Sequence, residues 1–215
     1  MKIPMIVGKM LDMITPPIIG RVSHKLIMAI RRPLVGKRLA NYEKLHLACG
    51  QNVLDGWANI DINSNRQIIG WNLTDRLPVR SATIELIFCE HFVEHVTLEE
   101  AKALLSDWYS VLQSGGILRL STPNLKKVID EYLSGRILEW YDVGWTPTTP
   151  CQLVNEGLRL WGHQFVYDAE ELRRILEEAG FRQVTQVVWG ESSHSELRNL
   201  EFRPFHGELI FECVK

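Results

Sequence analysis

Three groups of residues in this chain could do chemistry. The first is Leu45-His46-Leu47-Ala48-Cys49-Gly50, followed eleven residues after its glycine by Asp61. An apolar run of strand length that stops at glycine lets the backbone bend sharply and approach a ligand. A carboxylate ending the next strand can accept hydrogen bonds from a ribose. That is a nucleotide pocket in outline, although Ala48 and Asn52 stand where a G-x-G-x-x-G fingerprint would have its other glycines. The second group is His91-Phe92-Val93-Glu94-His95, literally H-x-x-E-H. Within a helix that spacing sets two imidazoles around a zinc ion with the glutamate as base. Here the motif begins at the end of a buried strand, so a metallohydrolase ranks last among the readings and no metal is expected. The third group is two long segments without sustained period. Residues 136–164 carry Trp140, Tyr141, Trp145 and Trp161 with Pro147 and Pro150, and Gly190 to Gly207 carries His194, Arg198, Arg203 and His206. Ordered loops of such length usually serve as lids or binding loops.

The elements that must position these groups alternate between strand and helix after Lys44, which implies a mostly parallel sheet covered on both faces. Strands are expected at Leu45 to Ala48, about Ala58 to Ile62, around Gln67 to Leu73, Ile84 to Cys89, Gly116 to Ser121, Val184 to Trp189 and Glu208 to Val214. The connection from Cys49 to Trp57 is too short for the crossover helix that parallel neighbours normally need. Thr97 opens a helix with the capping box Thr97-x-x-Glu100 and runs to a stop at Gly115-Gly116. Thr122-Pro123 starts another, with Leu125, Val128, Ile129, Tyr132 and Leu133 on one side and Gly135 at its end. A third begins at Asp168, buries Leu172, Ile175, Leu176 and Ala179, and terminates at Gly180-Phe181 in a Schellman turn.

Length and charge bound the rest. The 215 residues, 46% of them apolar, suffice for one well-filled core. Residues 1 to 44 hold nine Lys and Arg against Asp12 and Glu43, a net of +7, which leaves -9 on the remainder of a chain whose total is -2. An acidic body of this kind argues against a nucleic-acid surface. The basic arm, residues 1–43, includes an expected amphipathic helix near Val22 to Arg32 whose greasy side is Val22, Leu26, Ile27 and Ile30. Such an arm, through residues 1–40, suits the surface of an anionic membrane, and equally a helix that caps the cleft or a partner subunit. Cysteines at 49, 89, 151 and 213 lack C-x-x-C spacing and fit a reduced, cytoplasmic setting, including the inner face of a membrane. No stretch reaches the length of a membrane span.

Four phrases, in order, resemble the class I S-adenosylmethionine-dependent methyltransferases, and within them the small type-11-like bacterial group met in polysaccharide pathways. They are Leu45 to Gly50 with Gly56 to Asp61; Ile84 through Glu94-His95; Val111 through Gly115-Gly116 to Pro123-Asn124; and Gly162-His163 through Tyr167-Asp168 to Gly180-Phe181. The resemblance covers residues 44–215. It implies a Rossmann-like, doubly wound α/β domain with a seven-stranded, mostly parallel sheet and an antiparallel last strand. It implies S-adenosylmethionine as cofactor, held by Ala48, Cys49 and Gly50 at the methionine end and Asp61 at the ribose. Asn72 and Leu73 stand near the adenine, and Cys89 and Glu90 line the cleft. Ala48 for the family's first glycine, Asn72 for aspartate and the abbreviated first crossover are departures. His91, and after it His163, are the candidate bases for an acceptor that must lose a proton. The implied reaction is methylation of an oxygen, less favoured a nitrogen, of a small or carbohydrate-type acceptor. The alternative is a binding or scaffold subunit of the same fold without turnover.

Overall fold

The computed structural model describes residues 29–135, 137, 144–203 and 205–215. Its centre is a seven-stranded sheet of order β3-β2-β1-β4-β5-β7-β6. The strands are β1 (Lys44–Leu47), β2 (Ala58–Asp61), β3 (Ile68–Gly70), β4 (Ile84–Glu90), β5 (Leu112–Thr122), β6 (Arg182–Gln186) and β7 (Leu209–Val214). Six strands run one way, and β7, wedged between β5 and β6, runs antiparallel to both. Strand order reverses between β1 and β4, so the chain leaves those two neighbours in opposite directions. Their carboxyl ends form the crevice where open α/β sheets bind ligands.

Side-chain parity divides the core in two. Leu45, Leu47, Ile87, Cys89, Leu118 and Leu120 share the main cluster with three helices: 29–39 (α1), Leu98–Val111 (α2) and Ala169–Glu178 (α5). On the opposite face Leu86, Phe88 and Ile117 pack with Trp57, Leu197 and Leu200, so this side is covered by loop and a short 3-10 turn at Ser195–Leu197. The anchor of that cover is ionic. Arg119 on β5 is fully buried, donates to Glu201 from Nε at 2.7 Å and to the Glu191 carbonyl at 2.9 Å, and pairs with Glu212 of β7.

The short first crossover is accommodated by one side chain. Asn59 of β2 accepts from the Leu54 N–H and donates to the carbonyls of Leu54 and Trp57, while His46 Nδ1 lies 3.1 Å from its Oδ1. Buried backbone groups that a crossover helix would have satisfied are met by this amide instead, and β1 and β2 pair in parallel without a helix between them.

The helix ends follow their sequence signals, with some corrections. The capping box at Thr97 is formed, with Thr97 accepting from the Glu100 N–H and Glu100 from the Thr97 N–H. Phe181 N–H reaches the Leu176 carbonyl and Gly180 N–H that of Glu177, the two bonds of a Schellman turn, with Gly180 at φ 105°. The expected stop of α2 at Gly115-Gly116 is corrected: the helix ends at Val111, because Leu112 already pairs with Ile84 as the first residue of β5. The next helix, α3 (Leu125–Ser134), is capped by Asn124 rather than started at Thr122-Pro123. Of its apolar set Val128 is buried, whereas Ile129, Tyr132 and Leu133 are exposed. Segment 136–164, expected to be irregular, contains α4 (Pro150–Arg159), with Thr149 as N-cap and Pro150 at the first turn. Its signal was hidden because only Leu153 and Gly157 are buried, too few to set a period.

The amino-terminal boundary also moves. Val35 and Leu39 of α1 belong to the main core, and Arg31 and Arg32 donate to the carbonyls of Gly70, Arg76 and Leu77. Residues 29–43 are thus part of the globule and not of an independent arm. Most of the amphipathic helix expected from Val22 lies outside the described residues. Among the described residues, no helix is long and apolar enough to cross a membrane.

Candidate functional site

At the carboxyl ends of β1 and β2 the chain bends through two left-handed residues, Ala48 at φ 54° and Gly50 at φ 57°. Alanine is strained there, which explains why a glycine suits that place. Beside Gly50 there is open space: a Cβ built on it would meet nothing within 4 Å. Asp61, at the end of β2, turns its carboxylate into the bend, accepting from the Gly50 N–H at 3.0 Å and from the Asn63 N–H at 2.9 Å. Cys49 lies beneath the bend with its thiol pushed up to about 12, by burial first and by the Asp61 charge second. It is therefore an apolar wall, not a nucleophile.

Other residues expected around the cofactor are placed less simply. Asn72 is exposed and its Oδ1 accepts from the Thr74 N–H, while Leu73 is buried in the main core. Cys89 is fully buried within β4, its thiol raised well above the ordinary value by burial. Glu90 accepts from the backbone N–H groups of Phe202 and Arg203, both at 3.2 Å, and so ties the 190–207 loop across the end of β4. The structure thus brings Asp61 to the Gly50 bend, and engages Cys89 and Glu90 inside the fold.

One step along the sheet, at the ends of β4 and β5, lies a cavity of about 130 Å³. His91, Glu94, Asn124, Trp145, Trp161 and His163 are among the residues that line it. His91 leaves β4 in the left-handed region at φ 52°, the kind of strained non-glycine backbone that clusters at functional sites. Its Nδ1 stands 3.1 Å from Glu94 Oε1 and its Nε2 3.8 Å from Glu208 Oε1. Glu94 has no exposed side-chain surface, and its Oε2 accepts from Thr122 Oγ1 at 3.0 Å. Burial acts to raise its carboxyl, but the His91 and His95 imidazoles beside it prevail and hold it near 2. His163 is brought in from far along the chain. Gln164 and Phe165 donate their N–H groups to the Glu94 carbonyl at 2.7 and 3.3 Å, Gln164 Nε2 donates to the His95 carbonyl, and Leu125 N–H donates to the Tyr167 carbonyl. The His163 ring then sits against His95, centroids 5.1 Å apart, with Nδ1 3.1 Å from the Gly157 carbonyl. Burial lowers its pKa, against the pull of the Glu94 charge.

Sequence reasoning named both histidines but missed Glu94 and Glu208 as site residues. Glu94 was visible within H-x-x-E-H. Glu208 carries no local signal, since it enters only through the pairing of β7 with β5. His194 and Arg198 are not among the residues lining the cavity, whereas Arg203 and His206 of the same loop are.

Comparison with known proteins agrees with this architecture. The family model of a methyltransferase domain matches residues 56–120. A crystal structure of a SAM dependent methyltransferase from Archaeoglobus fulgidus shares the fold over 90% of this chain and 99% of that one, at 17% identity and a TM-score of 0.50. A chain of the complex between the Haloferax volcanii Trm112 methyltransferase activator and its methyltransferase does so over 91% and 94%, at 10% identity and a TM-score of 0.51. At such identities the likeness is one of fold. No curated protein matches the sequence. The seven-stranded order with its antiparallel β7, the bend facing an acidic strand end and the match over residues 56–120 are those of the class I S-adenosylmethionine-dependent methyltransferase fold. The chain resembles that family in fold and over the matched residues, and S-adenosylmethionine is the cofactor of the proteins that share this domain.

Proposed function

We propose that the protein transfers a methyl group from S-adenosylmethionine to an oxygen, ahead of a nitrogen, of a small or carbohydrate-type acceptor, as a step in glycan or polysaccharide assembly. The observation that carries this reading is the cavity at the ends of β4 and β5, one strand away from the Gly50–Asp61 bend and lined by four imidazoles, those of His91 and His163 among them. The cofactor supplies an activated methyl on a sulfonium, so the protein has only to align donor and acceptor and take up a proton. Ala48, Cys49 and Gly50 would contact its methionine end and Asp61 its ribose hydroxyls. Asn72 and Leu73 would border the adenine, and Cys89 and Glu90 would form the floor behind the bend.

In the transfer the sulfur–carbon bond breaks, an oxygen–carbon bond forms and the acceptor hydroxyl gives its proton to an imidazole. His91 is the first candidate, because it lines the cavity, leaves β4 in the left-handed region and lies beside the carboxylates of Glu94 and Glu208. His163 is the second. The Trp145 and Trp161 rings, 5.3 Å apart and edge to face, offer apolar walls on which a sugar ring could stack. The aromatic segment 136–164, of which 136 and 138–143 with Trp140 and Tyr141 lie outside the described residues, would then cover the acceptor, and the basic amino-terminal stretch, through residues 1–40, would hold the enzyme at the inner, cytoplasmic face of a membrane.

A second reading, a cofactor-binding subunit without turnover, draws on one observation: Cys89 and Glu90 are engaged within the fold instead of facing a ligand. Calorimetry with S-adenosylhomocysteine, followed by a screen of sugar and small hydroxyl acceptors for its release from S-adenosylmethionine, tests both. Binding with turnover supports the enzyme. Binding with none across the screen supports the subunit, and no binding removes both.

A further inference from the structure

We propose that Glu94, His95 and His163 form a binding site for one first-row divalent cation of the zinc type, set in the wall of the acceptor cavity. One ligand atom from each residue lies within 4.8 Å of the other two. The carboxylate is the central observation. Glu94 is wholly buried; its Oε2 is taken by Thr122, whereas its Oε1 faces only imidazole nitrogens, His91 Nδ1 at 3.1 Å and His95 Nε2 at 3.9 Å. A buried carboxylate is costly unless positive charge meets it.

The histidines are arranged as metal ligands usually are. His163 is held through Nδ1 at the Gly157 carbonyl, which fixes the tautomer and leaves the Nε2 lone pair free, the outer-shell contact that orients most ligating imidazoles. The backbone bonds from Gln164 and Phe165 to Glu94 lock the two ligand segments together whatever fills the cavity. Two imidazoles and a carboxylate suit zinc or ferrous iron rather than magnesium or calcium, which take all-oxygen shells. A tetrahedral ion about 2.0–2.2 Å from each ligand sets ligand atoms roughly 3.4 Å apart, within reach by rotating the two partly exposed rings. Three protein ligands leave a fourth position open to the cavity, for water or an acceptor oxygen. On the proposed methyl transfer, which this last point alone assumes, His163 becomes a ligand and His91 the remaining base.

The site is not the one the H-x-x-E-H spacing describes. That pattern needs His91 and His95 one helical turn apart with Glu94 as base. Here Val93–His95 is a 3-10 turn, His91 lies outside it, and Glu94 itself is the proposed ligand.

The test uses the full-length, tag-free chain, stripped with chelator and titrated with Zn²⁺ and, as an optical probe, Co²⁺. The expected result is about one zinc per folded chain and visible cobalt bands of a four- or five-coordinate site. His95→Gln and His163→Gln should each weaken binding at least about tenfold with an unchanged circular dichroism melt. Wild-type protein that melts normally yet binds less than about a tenth of an equivalent overturns the site, as does unchanged affinity in both variants. Calorimetry of S-adenosylhomocysteine on metal-free protein separates the two readings. Retained nucleoside binding without metal uptake defeats only the metal site, and metal uptake without nucleoside binding defeats only the donor site.

Discussion

The bend at the ends of β1 and β2 and the cavity at the ends of β4 and β5 lie along one edge of one sheet, yet they are built in different ways. The bend is local: Ala48 to Gly50 and Asp61 are joined by the ten residues 48–57, and Asn59 alone satisfies much of that connection. The cavity is assembled from four distant segments, at 91–95, 123–128, 145–163 and 203–208, held by backbone bonds and by the buried Arg119 cluster behind them. The difference fits the tasks proposed for the two regions. A cofactor that never changes can be met by a short fixed motif, whereas acceptor choice is varied by exchanging loops on a constant frame.

The largest expected effect strikes the acceptor side. His91→Gln should lower turnover with the true acceptor about 100- to 10,000-fold and leave S-adenosylhomocysteine affinity unchanged. Equal losses in both would show that the two regions are not separable. Next, Arg119→Met leaves Glu201 and Glu212 buried without their cation. It should reduce unfolding free energy by about 3–5 kcal/mol in urea titration, with the loss of acceptor turnover outrunning that of cofactor binding.

His46 beneath the bend gives a pH signature. Burial first, opposed by the Asn59 hydrogen bond, lowers its pKa from 6.5 to about 4, so the unfolded chain takes up the proton more readily. Stability should be full above pH 6.5 and fall as the pH drops toward 4, by on the order of 3 kcal/mol. His46→Gln, which keeps a donor for Asn59, should flatten urea midpoints across that window. Glu94 acts lower: its contribution is present above its ordinary 4.5 and is lost as the pH falls through about 2. The smallest effect is on the donor side. Asp61→Ala removes a carboxylate from the proposed ribose position and should weaken S-adenosylhomocysteine about 100-fold by calorimetry, with the proposed role of His91 unaffected.

Much of this architecture was legible in the chain because its signals are short-range. Thr97 to Glu100, Asp168 to Glu171 and Gly180-Phe181 mark helix ends through contacts a few residues apart, and the apolar runs of β1, β4 and β5 need only to be buried on both faces. The same holds for Gly50 and Asp61, since two adjacent parallel strands bring their ends together. What the residues alone did not reveal depends on partners far away. Nothing near Glu90 announces that the N–H groups of Phe202 and Arg203 will claim it, and nothing near Leu133 announces an exposed apolar side.

The sequence by itself determined the alternating sheet, the bend and the acid that faces it, because strand periodicity, glycine conformation and caps act over a few residues. Only the tertiary structure decided that Glu94, His95 and His163 meet in one wall and that a helix lies within 150–159. The physical reason is that such meetings are fixed by sheet order and by hydrogen bonds between segments distant in the chain, whose geometry no local pattern encodes.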